Sequence, residues 1–504
     1  MNKEKFWNPV FTISLIIVVI IVGIGAIMPE SYGAAMSSAF NFIVGNLGWF
    51  YVLTMSSFVV FSLAMLFSKY GKIKLGDPDD EPEYSLVSWF GMLFSAGMGV
   101  GLIFFGVAEP LFHFSAPLGG IEPGTAAAAD FAFKKSFLHW GLHPWAAYAV
   151  LALALAYMQF RRKKSGLISS IFIPLIGEER VKGPIGKTID ILAIFATVVG
   201  VASSLGMATM QINGGLNGLI GLPMNQGIQL AIIAIITFLF VLTAVMGIEK
   251  GIKLVSDMNI TLCAVLMVVA FLVGPSVEIL NNLSNSVGLY LGGVVADSFA
   301  IGNDPWYGWW TIFYWAWWIA WAPFVGTFIA RISKGRTIRQ FIGGVLIAPT
   351  IASFFWFSIF GTVGMKVLDK IGEFATETAF FQVFEFYPLG SILSGIAVLL
   401  LTTFFITSAN SATFVLSMFS EHGNLDPGTP KKIIWGILMA GLAAGLLIAG
   451  GLDALQTGSI VAAFPFAFVM IFAMISLVKA LSGDEAYIAE QKEILNENLN
   501  EKLG

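Results

Sequence analysis

Five tryptophans, a tyrosine and two phenylalanines crowd the 17 residues from Trp310 to Gly326, WTIFYWAWWIAWAPFVG. On a helix advancing about 100° per residue, Trp315, Trp317, Trp318 and Trp321 fall within an arc of roughly 160°, with Phe324 beside them. A lipid-filling helix would use leucine instead, because an indole N–H needs a partner. Aromatic faces in a dry cavity suit a cation that makes no hydrogen bonds. A quaternary ammonium is such a ligand, and each good desolvated face is worth about 2 kcal/mol. Trp306, Trp309 and Trp310 just before the run read as an interfacial belt. A second aromatic set lies in HWGLHPWAAYAV, where Trp140, Tyr148 and Trp145 project within roughly 140° of a regular helix. That set is either another belt or a wall facing the first.

The stretch SAGMGVGLIFF places Gly97, Gly99 and Gly101 around Met98 and Val100. Each interior glycine costs about 1 kcal/mol relative to alanine. Spacing of two does not fit a single packing face, which would prefer spacing of four. Close packing is one explanation. An unwound stretch is the other, and its freed backbone groups survive at membrane depth only by meeting something polar. Half-helix ends then offer an anion site at one terminus and cation ligands at the other. Farther on, LLTTFFITSANSATF carries Thr402, Thr403, Thr407, Ser408, Ser411 and Thr413. Such hydroxyls either back-bond to their own helix or line a neutral oxygen cage for Na+. Glu109 stands at the outer end of its span before Pro110, and Asp190 and Asp257 lie at span starts. No carboxylate stands at the level of Gly99, which argues against a proton relay and against a charged counter-group for a cation. A net-neutral substrate with a cationic head and an anionic end fits: a betaine. HExxH and GxSxG are absent, and the histidines at 113, 139, 143 and 422 show no ligand spacing. GPIGKT ends like a phosphate loop, yet Val181 stands where its first glycine belongs. No enzyme is expected.

The elements that must hold these residues are membrane spans. The chain has 504 residues, 57% hydrophobic and only 12% charged, about half the charge of an average soluble protein. Uncharged apolar runs long enough to cross a bilayer recur throughout. Twelve spans are expected, centred near residues 20, 57, 100, 149, 200, 236, 267, 322, 352, 404, 440 and 468. The first is too long for a signal peptide and lacks a cleavage site. With that count, 23 of the 27 lysines and arginines fall on one face, which places it and both termini in the cytoplasm. The lone Cys263 lies within a span and excludes a disulfide framework. Residues 274–299 read as an external amphipathic helix lying at the interface. It would link spans 3–7 to spans 8–12, and halves of five spans must have opposite orientation, the arrangement of inverted-repeat transporters. The expected division is 1–85 (tail and helices 1–2), 86–281 (first repeat), 282–305 (linker), 306–480 (second repeat) and 481–504 (a short cytoplasmic tail).

SAGMGVGLIFFGVAEP, HWGLHPWAAYA and WTIFYWAWWIAWAPFVGTFIARISKGRTIRQF resemble the betaine/carnitine/choline transporter family over essentially the whole chain. The resemblance implies an all-α polytopic membrane protein with a leucine-transporter-like core: two inverted five-helix repeats behind two N-terminal helices, generally assembled as a homotrimer. It implies an aromatic box of Trp140, Trp145, Tyr148 and Trp318 around a trimethylammonium, with Trp317 and Trp321 lining the cytoplasmic path. Gly97, Met98, Gly99 and Gly101 match the unwound helix that meets the carboxylate. Glycine at 101, where proton-coupled choline members tend to carry aspartate, favours Na+-coupled glycine betaine uptake, an osmoprotective activity. Choline, proline betaine, ectoine, proline or carnitine transport or exchange are the alternatives, and a channel or non-transporting osmosensor lies outside transport. For Na+, the coupling ion, the resemblance implies carbonyls near Ala96 and Met98 with Phe404, Thr407 and Ser408. Thr197 and Phe324 match part of a second Na+ site, but Val201 replaces its other threonine. The implied location is the cytoplasmic membrane, with no organic cofactor and no nucleic-acid partner.

Overall fold

Proline and glycine punctuate the chain into helices. The computed structural model describes residues 6–97, 99–246, 249–484 and 489. The first helix, α1 (Pro9–Ile27), opens with Pro9, and the Asn8 side chain accepts from the Phe11 N–H at 3.0 Å. Pro29 opens α2 (Pro29–Phe67) in the same way, a position where the missing proline N–H is no loss. The third span comes in pieces: α3 (Leu86–Gly97), α4 (Val100–Gly106) and α5 (Ala108–Ser115). The fourth is α6 (Ala126–Trp140) followed by α7 (Leu142–Ala156). Then come α8 (Pro184–Ile220), α9 (Gln226–Met246), α10 (Glu249–Val273) and α11 (Ser276–Ser298). A short turn and a wide-wound turn over Gly308–Ile312 lead into α12 (Phe313–Arg331). The remainder is α13 (Ile338–Met365), α14 (Thr376–Phe384), α15 (Gly390–Phe419) and α16 (Thr429–Ser482).

Ten helices among the described residues are long and apolar enough to cross a bilayer. The last, α16, is two runs bent at Gly450 and Gly451, the latter at φ +58°. Counting those two runs and the broken third span gives the twelve expected. Beyond residue 484 the expected short tail lies, apart from residue 489, outside the described residues.

Burial sorts the spans. The apolar stretches of the fourth, fifth and eighth spans are 94%, 83% and 83% buried within the protein, whereas those of α9 and α10 are each 22% buried. The latter keep their apolar side chains outward, which is stable only against lipid. The aromatic-rich eighth span is therefore core, packed against the fourth and fifth. Helix α11 is not a span. Its Asp297 meets Lys134 at 2.8 Å and Lys135 at 2.9 Å, and its Glu278 meets Lys366 at 2.6 Å, so it is tied to spans 4 and 9. On the opposite, basic face the segments before α3 and before α13 pair by backbone: the Leu75 N–H donates to Arg336 O at 2.8 Å and the Ile338 N–H to Ile73 O at 2.9 Å.

Candidate binding site in the broken third span

Helix α3 ends at Gly97 and α4 begins at Val100, with the break at Gly99. Met98 lies outside the described residues, and Gly99 has φ −134° and ψ −127°, which is not helical. Two backbone carbonyls beyond the break are met by side chains from other spans. Trp356 Nε1 donates to Leu102 O at 2.9 Å, and Gln211 Nε2 donates to Ile103 O at 3.0 Å. Irregular backbone persists at this depth because its polar groups find partners inside the protein.

The glycines make room for rings. A Cβ on Gly97 would stand 2.5 Å from Trp145 Cη2, and one on Gly101 would stand 2.6 Å from Trp317 Cη2 and 2.8 Å from Trp140 Cη2. Gly99 has more space, its nearest neighbour being Phe404 Cβ at 4.0 Å. Two of the three glycines thus serve close approach to indoles, and the third marks the break.

The rings assemble from α6, α7 and α12. Trp318 meets Trp140 at 4.9 Å and 83°, and Tyr148 at 6.0 Å and 89°, while Trp145 meets Tyr148 at 5.7 Å and 82°. Near-perpendicular faces wrap a small volume instead of stacking it shut. Trp317 lies nearly parallel to Trp318 at 5.1 Å. Three indole N–H groups on α12 have interior acceptors: Trp317 bonds Ser204 Oγ at 3.2 Å, Trp318 bonds His139 O at 3.0 Å, and Trp321 bonds Gly200 O at 3.0 Å. The cavity between these elements is lined by Gly97, Gly99, Gly101, Trp140, Trp317, Trp318 and Trp321, with Ser204 and Ser408. Its free core is about 20 Å³, room for about one water and too little for a trimethylammonium group. Ring movement must accompany entry. Trp145 and Tyr148 form the second layer, and the buried Tyr148 hydroxyl has no partner among the described residues.

Three expectations need correction. The fourth span is not a regular helix across the aromatic set, since Gly141 at φ −92° and ψ −126° interrupts it between Trp140 and Trp145. Trp315 does not share the cavity face but stacks on His143 at 4.8 Å and 20°. Trp306, Trp309 and Trp310 are not a simple belt: Trp309 stacks on Phe40 at 4.1 Å, and Trp306 and Trp310 pack on His113.

The hydroxyl-rich stretch lies on α15. Thr407 Oγ1 donates to Thr403 O and Phe404 O, both at 3.0 Å. Back-bonding spends only the hydroxyl proton, so both oxygen lone pairs remain for a cation. Ser408 faces the same cavity as Gly99, and Ala96 closes the last turn of α3. At the partial second site, Thr197 Oγ1 donates to Ala193 O at 2.8 Å, Phe324 packs on Trp321 at 5.6 Å, and buried Val201 offers no side-chain oxygen.

The sequence reading placed Glu109 at the outer end of its span and counted no carboxylate near the site; it missed that Glu109 stands directly behind the cavity-lining Trp140. Its carboxylate is fully buried and accepts from Trp140 Nε1 at 2.8 Å, Tyr314 Oη at 2.6 Å and His139 Nδ1 at 2.7 Å, with His113 Nε2 at 3.4 Å. The i,i+4 spacing of Glu109 and His113 was the one available signal. His139 and Glu109 stand at hydrogen-bond distance, closer than two ligands sharing a tetrahedral ion with bonds of about 2.0 Å would be, so this pair is arranged as a hydrogen bond and not as two metal ligands.

A chain of buried spans around a water-poor aromatic cavity at a helix break is built to pass a small molecule across a membrane. It belongs to the betaine/carnitine/choline transporter family, whose model matches residues 9–486. It is a transporter and not an enzyme. It is 48% identical over 499 residues to the glycine betaine transporter OpuD of Bacillus subtilis, covering 97% of each chain. It is 40% identical to the ectoine/hydroxyectoine transporter of Virgibacillus pantothenticus (98% of this chain, 100% of that one) and 37% identical to glycine betaine transporter 1 of Vibrio parahaemolyticus (95% and 94%).

Proposed function

We propose that the chain takes up glycine betaine with Na+ as the coupling ion, by alternating access, in the cytoplasmic membrane of an osmotically stressed cell. The observation that carries this reading is the set of near-perpendicular rings of Trp140, Tyr148 and Trp318 beside the glycine-lined break of the third span. The rings take the trimethylammonium by cation–π attraction. Backbone N–H groups at the start of α4 take the carboxylate. Carbonyls near Ala96 and Met98, with Phe404, Thr407 and Ser408, take Na+. Because these ligands come from both the broken third span and α15, ion binding draws the two together. Closure then favours the doubly loaded protein. Trp317 and Trp321 line the inner path, the termini face the cytoplasm, residues 86–281 and 306–480 form the two repeats, and the assembly is a trimer. With valine at 201 in place of a threonine, Thr197 and Phe324 supply only part of a second Na+ site.

Counterflow in proteoliposomes, with glycine betaine, choline, carnitine, proline and ectoine and with or without a Na+ gradient, tests this. Glycine betaine is expected to exchange best and to accumulate only with inward Na+. Equal accumulation without Na+ would reject the coupling, and exchange indifferent to the methyl groups would reject the aromatic box. Ectoine is the second reading, favoured by the 40% identity to an ectoine/hydroxyectoine transporter.

A further inference from the structure

Glu109 stands one hydrogen bond behind the ring that lines the cavity. Trp140 spans the gap: its Nε1 donates to Glu109 Oε2 at 2.8 Å, and its far edge, Cη2, reaches the cavity wall at Gly101. The donor pattern assigns the charge. Trp306 Nε1 donates to His113 Nδ1 at 3.2 Å, so the proton of His113 sits on Nε2, facing Glu109. The Thr311 hydroxyl stands 3.0 Å from His139 Nε2; with Thr311 as the donor, His139 is neutral and its Nδ1 proton faces Glu109. The Tyr314 hydroxyl donates as well, so three hydrogen bonds converge on the buried carboxylate, and the His113 Nε2–H stands 3.4 Å away without bonding it. A carboxyl group meeting only donors, on both oxygens, is held in its ionised form. Both histidines are neutral in this arrangement. Lys135, whose Nζ lies 5.9 Å from the Trp306 ring, is committed to Asp297 at 2.9 Å.

We propose that Glu109 is a specificity-determining counter-charge for the quaternary ammonium, acting through Trp140 without touching the substrate. The inference rests on the betaine reading above. An anion accepting the indole N–H enriches the ring face that meets the cation. The same anion attracts that cation directly across a low-dielectric wall. A purely structural Glu109 would hold the rings in place and treat charged and uncharged heads alike.

Glycine betaine and 3,3-dimethylbutyrate have the same shape, with carbon replacing the charged nitrogen in the second. The test measures inhibition constants of both for betaine counterflow in the reconstituted full-length protein, for wild type, Glu109→Gln and Glu109→Asp. A glutamine fits, because its amide nitrogen can donate to His139 once that ring switches tautomer and donates to Thr311. The expected result is that E109Q weakens betaine by roughly tenfold or more while dimethylbutyrate holds or improves, and that E109D restores the preference. Equal weakening of both ligands, or of neither, overturns the proposal. Should E109Q not fold, Glu109→Met is the second neutral variant and is read the same way. A wild-type protein that fails to bind betaine would instead sink the substrate reading, so the two failures are distinct.

Discussion

A single ring carries the geometry of the pocket. Trp318 touches both Trp140 and Tyr148 and is anchored by its indole N–H to the His139 carbonyl. Trp318→Leu keeps an apolar filler of smaller volume and removes a π face from the box. Betaine uptake is expected to fall below detection while the protein still elutes as a folded species, and normal uptake would dismiss the box. Glycine 101 is the complementary test. A methyl there meets two indoles at 2.6 and 2.8 Å, whereas one on Gly91, in the same broken span, meets nothing within 4 Å. Rigid buried rings yield little, and overpacking of this kind costs about 1–3 kcal/mol. Gly101→Ala should therefore raise the half-saturating betaine concentration about tenfold or more, with Gly91→Ala near wild type. Tryptophans and glycines are legible in sequence because their local cost is anomalous. Glu109 was not, since its partners Trp140 and Tyr314 lie 31 and 205 positions away and no local pattern announces them. The inward turn of Trp315 toward His143 escaped for the same reason.

At the scale of elements, the informative feature is how interrupted helices meet whole ones. The break in the third span was readable from three alternating glycines. The break at Gly141 was not, because one glycine inside an aromatic run looks like an ordinary helical residue. Across the first break, α15 presents Phe404, whose Cβ lies 4.0 Å from where a Cβ on Gly99 would stand, and Ser408, which lines the cavity. If Na+ binds between them, the Thr407→Ala, Ser408→Ala double variant loses two oxygens and should need a several-fold higher Na+ concentration for half-maximal uptake, with betaine affinity at saturating Na+ little changed. An unchanged Na+ curve would remove these ligands. Helix α11 gives a pH-dependent case outside the spans. Burial works to raise the Asp297 pKa, but Lys135 and Lys134 outweigh it and hold the carboxyl below its ordinary range. A depressed carboxylate stabilises docking above its unfolded pKa, and that contribution is lost as pH falls through the folded one. Hydrogen-exchange protection over residues 276–298, taken relative to the intrinsic rate at each pH, should fall on acidification in the wild type. In Asp297→Asn it should be lower already at neutral pH and show less acid dependence.

The whole molecule is organised so that its chemistry sits in the least lipid-exposed spans and its ends are tied back to them. Charge and hydropathy made the twelve spans legible, because crossing a bilayer dictates length and composition independently of tertiary contacts. Which spans lie inside was less so: α9 is more apolar than the buried fourth, fifth and eighth spans, yet mostly outward-facing. Long-range ties are invisible in sequence. Arg161, just past the span that carries Trp140 and Tyr148, grips Asp484 with Nε at 3.0 Å and Nη2 at 2.9 Å, and the Tyr157 hydroxyl donates to the same carboxylate at 2.9 Å. The pair is 9% and 4% exposed, so removing one partner strands a charge with poor access to water and costs about 3 kcal/mol. Asp484→Ala should lower the thermal unfolding midpoint in detergent by several degrees. Since the pair lies outside the cavity, the rank order of substrates in counterflow should not change. A wild-type midpoint would show that the contact is ornamental, and an altered rank order would mean that the C-terminal end of α16 reaches the binding site through span 4.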